Sequence, residues 1–132
     1  MRLMKKFLLF SCFLFSGLLL HGQQMKRLLL FAEDSSNAQL QQQMQLLRSD
    51  SAGIVEHNIW IAIFASPRKM RRMFEYYKIG SAEFTLLVAG LGGVEIFRSE
   101  QVMQPEEIYR ILEKIDAGEQ PPPSARAKGH SP

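Results

Sequence analysis

Leu28-Leu29-Leu30-Phe31-Ala32 is the most informative run of residues in the sequence. These residues are apolar without interruption, and the run has the length of a β-strand. Successive side chains of a strand point to opposite faces of its sheet, so a continuous apolar run predicts a strand that is covered on both faces. Strands of this kind are typical of α/β proteins, in which helices pack on both sides of a central sheet.

The segments that follow this strand alternate between helical and extended patterns. Residues 34–37 offer several helix-capping side chains and predict the start of a first helix, which residues 50–53 break or kink. The apolar residues of this helix recur at helical spacing at Leu40, Met44 and Leu47. Residues 59–64 are β-branched and aromatic, so they predict a second buried strand.

A second helix and a β-hairpin are predicted next. Ser66 as N-cap and Pro67 at the first helical position open the helix. The residues predicted to form its apolar face are Met70, Met73, Phe74 and Tyr77. Residues 84–89 and 94–98 have strand character, and the glycine-rich residues 90–93 between them indicate an antiparallel hairpin.

Pro105, followed by Glu106 and Glu107, begins the last predicted helix, because acidic residues in a first turn complement the helix dipole. Its core-facing residues are Ile108, Ile111, Leu112 and Ile115. The predicted order is β-α-β-α-β-β-α, an α/β fold with a mixed central sheet and helices on both faces. The folded domain is predicted at residues 23–117. Residues 118–132 are rich in proline and polar residues and predict a disordered tail.

Residues 1–22 have the layout of a secretory signal peptide. Arg2, Lys5 and Lys6 precede an apolar run over residues 7–20, and Gly22 provides a small residue at the predicted cleavage site. The apolar run is shorter than the roughly 20 residues that a membrane-spanning helix needs. We therefore predict cleavage near Gly22 and an extracytoplasmic location, either periplasmic or secreted. The alternatives are an uncleaved anchor and a lipid attached to Cys12.

Removal of this segment would change both the charge and the sulfur content of the chain. The full chain of 132 residues carries 16 Lys and Arg against 13 Asp and Glu, and the three cations of residues 1–22 are the whole surplus. A neutral remainder argues against a nucleic-acid binder, which normally has an excess of basic residues in its folded part. Cys12 is the only cysteine in the sequence, so the exported chain would have no disulfide, thiolate metal ligand or cysteine nucleophile.

The predicted order of elements is that of the thioredoxin core, and several runs of residues resemble a known family. These runs are residues 26–32, 39–43, 84–88, 92–94 and 115–116. They resemble a thioredoxin-like family of unknown function, domain-of-unknown-function family 4174, over residues 26–116. Members of that family are bacterial exported proteins and modules of animal extracellular-matrix proteins, and no activity is settled for them.

The resemblance also implies that the chain is redox-inactive. It places Ser35-Ser36-Asn37-Ala38 where redox-active thioredoxins carry Cys-x-x-Cys, with Ser35 at the nucleophile position and Ala38 at the resolving position. Neither side chain can carry out thiolate exchange. Redox members also have a cis-proline before the third strand, but Glu83-Phe84-Thr85 contains no proline. A cis bond before another residue costs about 2.5–4 kcal/mol, so a trans bond is predicted there.

Two segments are candidates for binding a partner. The first is the loop of Asp34, Ser35, Ser36 and Asn37, which precedes a helix whose free N–H groups and dipole favour an anion. These residue types are also preferred helix caps, so capping alone is the alternative.

The second candidate is the dense basic run of Arg68, Lys69, Arg71 and Arg72. Positive charge in the first turns of a helix opposes the dipole by about 0.3–1 kcal/mol per residue, so local stability does not explain the run. It indicates a patch for an acidic protein, a polysaccharide or lipid head groups, with a solvated basic surface as the alternative.

No set of residues specifies a reaction. His57 has no second histidine or cysteine at ligand spacing, so neither a metal site nor a cofactor is predicted. The leading hypothesis is an exported, redox-inactive domain that binds a partner other than nucleic acid and has no membrane span after cleavage. The alternatives are an enzyme that uses residues 34–37 to hold a substrate without a thiol, and a structural protein of the cell envelope.

The signal-peptide prediction is checked by mass spectrometry of the protein recovered from the cell envelope and the medium. We expect the mature chain to start near Gln23, because the polar residues after Gly22 begin there. A recovered chain that retains Met1, or one that carries a lipid on Cys12, would contradict the prediction.

Overall fold

The structure is a computed structural model that describes residues 25–80 and 84–119. Within these ranges the strands are β1 Lys26–Ala32, β2 Ile59–Phe64, β3 Phe84–Ala89 and β4 Glu95–Ser99. The α-helices are α1 Ala38–Ser49, α2 Ser51–Glu56, α3 Arg71–Tyr76 and α4 Pro105–Asp116. The predicted signal peptide, Cys12, Glu83 and the tail from residue 120 onward lie outside the described ranges.

The strands form one mixed sheet in the order β2-β1-β3-β4. β1 pairs with β2 in parallel and with β3 in the antiparallel sense, and β3 pairs with β4 in the antiparallel sense. The prediction of an α/β fold with a mixed central sheet is therefore confirmed. β1 is an inner strand with a neighbour on each edge, as its continuous apolar sequence predicts.

Alternate side chains of the sheet belong to two separate apolar clusters, one on each face. The first core joins Leu28 and Leu30 of β1 to the buried residues of α1 and α4. The second core joins Leu29 and Phe31 of β1 to Phe74 of α3 and to Tyr77, the residue that follows α3. Helices thus cover both faces of the sheet. Phe31 is fully buried, and its ring stacks on Phe64 with the centroids 5.0 Å apart.

Residues 59–64 do form a strand, but the prediction that this strand is buried is wrong. β2 is the outer strand beside β1, and its side chains range from half-buried to exposed. Trp60 is 59% exposed and Ile63 is 40% exposed. Apolar sequence alone does not distinguish an inner strand from an outer one, because the position of a strand in the sheet depends on which neighbours pair with it.

The first helix begins and ends at capping residues, as the sequence predicts. The Asn37 side-chain oxygen accepts a hydrogen bond from the Leu40 N–H at 2.9 Å, which satisfies one free donor of the first turn of α1. Asp50 caps α2 in the same way, because its carboxylate accepts from the Gly53 N–H at 3.2 Å. The break predicted at residues 50–53 is therefore the junction between two helices.

The predicted start of the second helix at Ser66 and Pro67 is wrong. Ser66 does accept hydrogen bonds from the backbone N–H groups of Lys69 and Met70, but the turn that they close is not continued, and α3 begins at Arg71. From α3, Phe74 packs against the second core. Met70 itself is 37% exposed and does not join the apolar face that was predicted for it.

The C-terminal part of the prediction is confirmed, with small shifts. β3 and β4 form the antiparallel hairpin, but β4 begins at Glu95, after a 3-10 turn at Leu91–Gly93. Gly92 and Gly93 in this turn have φ of 72° and 78°, a left-handed conformation that favours glycine. α4 begins at Pro105, and its core-facing residues Ile108, Ile111 and Leu112 are buried.

Gln43 is a fully buried polar residue of α1 that the sequence analysis did not single out. Its side-chain nitrogen donates to the Met103 carbonyl at 2.9 Å, and its side-chain oxygen accepts from the Met103 N–H at 2.8 Å. The amide thus pairs with both backbone groups of one residue, as a neighbouring strand would. This pair of bonds joins α1 to the segment that leads into α4.

We predict that Gln43→Met lowers the free energy of unfolding by about 2–4 kcal/mol, because it leaves a backbone donor and acceptor buried without partners. Urea denaturation followed by circular dichroism measures the change. The matched control is Gln42→Met at the neighbouring exposed position of α1, which should change stability by no more than about 0.5 kcal/mol. Equal stability of the two variants would contradict the role assigned to Gln43.

Candidate functional site

The parallel pairing of β1 and β2 places the two predicted binding segments at one edge of the sheet. Phe31 near the end of β1 is aligned with Phe64 at the end of β2. The chain then leaves β1 into residues 33–37 and leaves β2 into residues 65–70. The carboxyl ends of parallel strands are a common location for binding sites, because the loops that leave them lie side by side.

A groove of about 430 Å³ lies at this edge, between the end of β1 and α3. Its lining residues are Glu33, Pro67, Arg71, Phe74, Glu75, Lys78, Ile79 and Gly80. Pro67, Phe74 and Ile79 supply apolar surface, and the four charged residues supply two positive and two negative groups. We call this feature the β1–α3 groove. Its mixed lining can contact both apolar and charged groups of a ligand.

Arg71 is the one residue of the predicted basic run that lines the groove. Its Nε donates to Glu75 Oε1 at 2.7 Å, one helical turn away, and both side chains are exposed. This hydrogen bond, together with the attraction of the carboxylate, raises the pKa of Arg71, so the guanidinium stays charged. An exposed ion pair contributes little to stability, because water screens it. The pair therefore orients Arg71 more than it stabilises the fold.

Arg68, Lys69 and Arg72 are exposed beside the groove. Arg68 and Lys69 lie in the turn before α3, not in its first helical turn as predicted, whereas Arg72 is the second residue of α3. None of these three side chains forms an ion pair with another of the residues that the structure describes. Their charges thus face solvent on one side of the groove.

The side chains of the loop at residues 34–37 are used mainly within the loop itself. Asp34 accepts hydrogen bonds from the Ser36 hydroxyl and from the Ser36 N–H, and these bonds lower the pKa of Asp34. Asn37 caps α1, and the Ser35 carbonyl accepts from the Gln41 side chain at 2.6 Å. None of residues 34–37 lines the groove, although Glu33 immediately before them does. The contacts in this loop are those of a helix cap.

Sequence reasoning missed Glu33, Phe74 and Glu75 as residues of the groove. Glu33 follows a strand, and no sequence motif around it indicates a site. Phe74 was assigned to the core, and it both packs on the second core and lines the groove. Glu75 could have been found, because an acidic residue four positions after Arg71 on a helix is at ion-pairing distance. The groove depends on which strand pairs with β1, and that is not visible in any local stretch of sequence.

A second polar cluster lies on the other side of the sheet and links α2 to α4. The Tyr109 hydroxyl donates to the Asp50 carboxylate at 2.8 Å, and the His57 ring stacks on Tyr109 with centroids 4.1 Å apart. Burial, and then the bond to Asp50, raise the pKa of Tyr109. At Gly53 a Cβ atom would come within 2.5 Å of the Tyr109 hydroxyl. The close packing and satisfied bonds indicate a structural cluster.

Comparisons of the chain with models of protein families, with curated proteins and with solved structures give no match. Among residues 25–80 and 84–119, no helix is both long enough and apolar enough to span a membrane. In the same ranges, no three His, Cys, Asp or Glu side chains are grouped so that they could hold a metal ion.

We predict that Asn37→Ala lowers the free energy of unfolding by about 1 kcal/mol, within a range of about 0.5–2 kcal/mol, because it removes the cap of α1. Ser35→Ala is the matched control in the same loop, and it should have an effect of less than about 0.5 kcal/mol. Both values come from urea denaturation. A larger loss for Ser35→Ala than for Asn37→Ala would contradict the capping role of this loop.

Proposed function

We propose that the chain is an exported, thioredoxin-like domain without redox activity, and that it binds an acidic polypeptide at the β1–α3 groove. The thioredoxin-like assignment is supported by the parallel β1–β2 pair, the antiparallel β3–β4 hairpin and the final helix α4. The resemblance to domain-of-unknown-function family 4174 gives the same expectation. Export is supported by the layout of residues 1–22.

The absence of thiol chemistry in this proposal follows from the position of Cys12. Cleavage near Gly22 leaves a chain with no sulfur nucleophile. In the loop that corresponds to the redox motif, Asn37 and Asp34 form capping and turn hydrogen bonds. These bonds favour a binding domain over an enzyme that holds its substrate with the side chains of residues 34–37.

The binding proposal rests on one observation. Because β1 and β2 pair in parallel, the cationic residues 68–72 lie beside a partly apolar groove. Arg68, Lys69 and Arg72 add three positive charges at the rim, where no described carboxylate forms an ion pair with them. Such a cluster attracts acidic groups and accelerates their association. Helix stability gives no reason for the two cations of this run that lie in α3, Arg71 and Arg72, because positive charge at the start of a helix opposes its dipole.

The lining of the groove favours a polypeptide among the acidic partners that the sequence allows. Pro67, Phe74 and Ile79 present apolar surface next to the cations. An acidic peptide offers apolar side chains as well as carboxylates, so it can use both parts of the lining. A sulfated polysaccharide or a lipid head group would use the cations alone.

We predict that Lys69→Glu combined with Arg72→Glu weakens binding of a random copolymer of glutamate and tyrosine by at least about tenfold, a loss of about 1.4 kcal/mol. The reason is that two attractive charges at the rim become repulsive. Binding is measured by fluorescence anisotropy of the labelled polymer at several salt concentrations. The matched control is Arg48→Glu combined with Arg110→Glu, which makes the same change in net charge at exposed positions of α1 and α4.

The control variant should bind like the wild type, and added salt should weaken wild-type binding. Equal loss in the two double variants would show an effect of net charge alone and would contradict a site at the groove. Heparin and vesicles of anionic phospholipid serve as probes of the other two partner classes. Binding of either one in the absence of binding to the glutamate–tyrosine copolymer would contradict the assignment of a polypeptide partner.

A further inference from the structure

A second concave site lies on the face of the sheet that carries the second core. Among the described helices, α3 is the one whose side chains join that core. A helix of six residues is about 9 Å long, whereas a strand of six residues spans about 20 Å. α3 therefore leaves part of this face uncovered, and a pocket of about 320 Å³ remains there.

The lining of this pocket is mostly apolar, and three of its residues are aromatic. Leu29 and Ala62 lie side by side on neighbouring strands and form the floor. The other lining residues are Arg27, Trp60, Phe64, Met73 and Tyr77. We call this feature the Trp60 pocket. Pockets that hold small ligands have volumes of about 300–1,000 Å³, so the Trp60 pocket has the size for a small molecule.

Two of the aromatic walls are held in place by contacts outside the pocket. The Phe64 ring stacks on Phe31, and the Tyr77 ring meets Phe31 edge to face with the centroids 5.9 Å apart. The Tyr77 hydroxyl donates to the Gly93 carbonyl at 2.6 Å, so it is the ring of Tyr77 that is left to contact a ligand. Walls that are fixed before binding lose little freedom when a ligand enters. Flat rings of this kind favour a ligand that is itself aromatic.

The pocket has a positive charge at its rim. Arg27 is aligned with Trp60 on the neighbouring strand, so the two side chains lie next to each other on the same face. Arg27 is exposed, and none of the carboxylates that the structure describes forms an ion pair with it. Glu95, whose charge also acts on Tyr77, is paired with Arg98. Burial raises the pKa of Tyr77, so its hydroxyl stays neutral and does not repel an anion.

We propose that the Trp60 pocket binds a small aromatic carboxylate, with the ring of the ligand against Trp60 and Tyr77 and its carboxylate on the Arg27 guanidinium. A guanidinium matches the two oxygens of a carboxylate, and a single cation at the rim matches a single negative charge. An uncharged aromatic compound would use the apolar lining alone. The pocket shares no lining residue with the β1–α3 groove, so this site does not depend on the proposed acidic polypeptide.

The fluorescence of Trp60 tests the site directly, because Trp60 is the only tryptophan in the sequence. The full-length chain is titrated with 3-phenylpropionate, whose ring does not absorb the light that excites tryptophan selectively. We expect a saturable change in emission with a Kd of about 0.1–1 mM, as is usual for a ligand of this size. The uncharged match, 3-phenylpropan-1-ol, should bind at least about fivefold more weakly, because it lacks the charge that Arg27 attracts.

Two variants that keep Trp60 separate the charge from the apolar lining. Arg27→Gln should bind the acid and the alcohol equally, whereas the matched control Arg48→Gln, at an exposed position of α1, should keep the preference for the acid. Ala62→Phe fills the floor and should bind neither compound, and circular dichroism checks that it is folded. The proposal would be overturned by an emission that does not change with 3-phenylpropionate, or by equal affinity of the wild type for the two compounds. A preference for the acid that survives in Arg27→Gln, or binding by folded Ala62→Phe, would overturn it as well.

Discussion

Burial of β1 on both faces is the constraint on which the other features of this structure depend. The strand pairs with β2 on one edge and with β3 on the other, and its side chains enter both cores. Helices must therefore cover both sides of the sheet, α1 and α4 on one side and α3 on the other. Lys26 at the start of the strand is itself buried and is paired with Asp116 of α4 at 2.8 Å. The ion pair joins the last helix to the central strand.

The same constraint positions the candidate site. After β1 the chain crosses over, so that β2 pairs with β1 in parallel. The carboxyl ends of both strands therefore lie at the same edge of the sheet, and the chain leaves both strands there. α3 must then pack Phe74 against Phe31, where the rings meet edge to face at 5.2 Å. The face of α3 that carries Arg71 and Glu75 borders the groove as a result. The site is thus a consequence of how the second core is filled.

The sequence was sufficient for the elements whose signals are local. The structure has the apolar strand β1, a helix cap within residues 34–37, the glycine turn and the buried spacing of Ile108, Ile111 and Leu112. Each of these signals acts through neighbours along the chain. The sequence was insufficient where distant packing decides. The exposure of β2 depends on the order of the strands in the sheet. The bonds of Gln43 depend on Met103, which is sixty positions away in the chain.

The cationic edge at the ends of β1 and β2 is the proposed binding surface, and it works without sulfur. Amide NMR spectra of the isotopically labelled protein, recorded during a titration with the copolymer of glutamate and tyrosine, test the location of this surface, because they report each backbone position. We expect shifts that saturate and are confined to residues 33–37 and 67–80. Spectra that do not change, or shifts confined to α1 and α4 on the other side of the sheet, would contradict it.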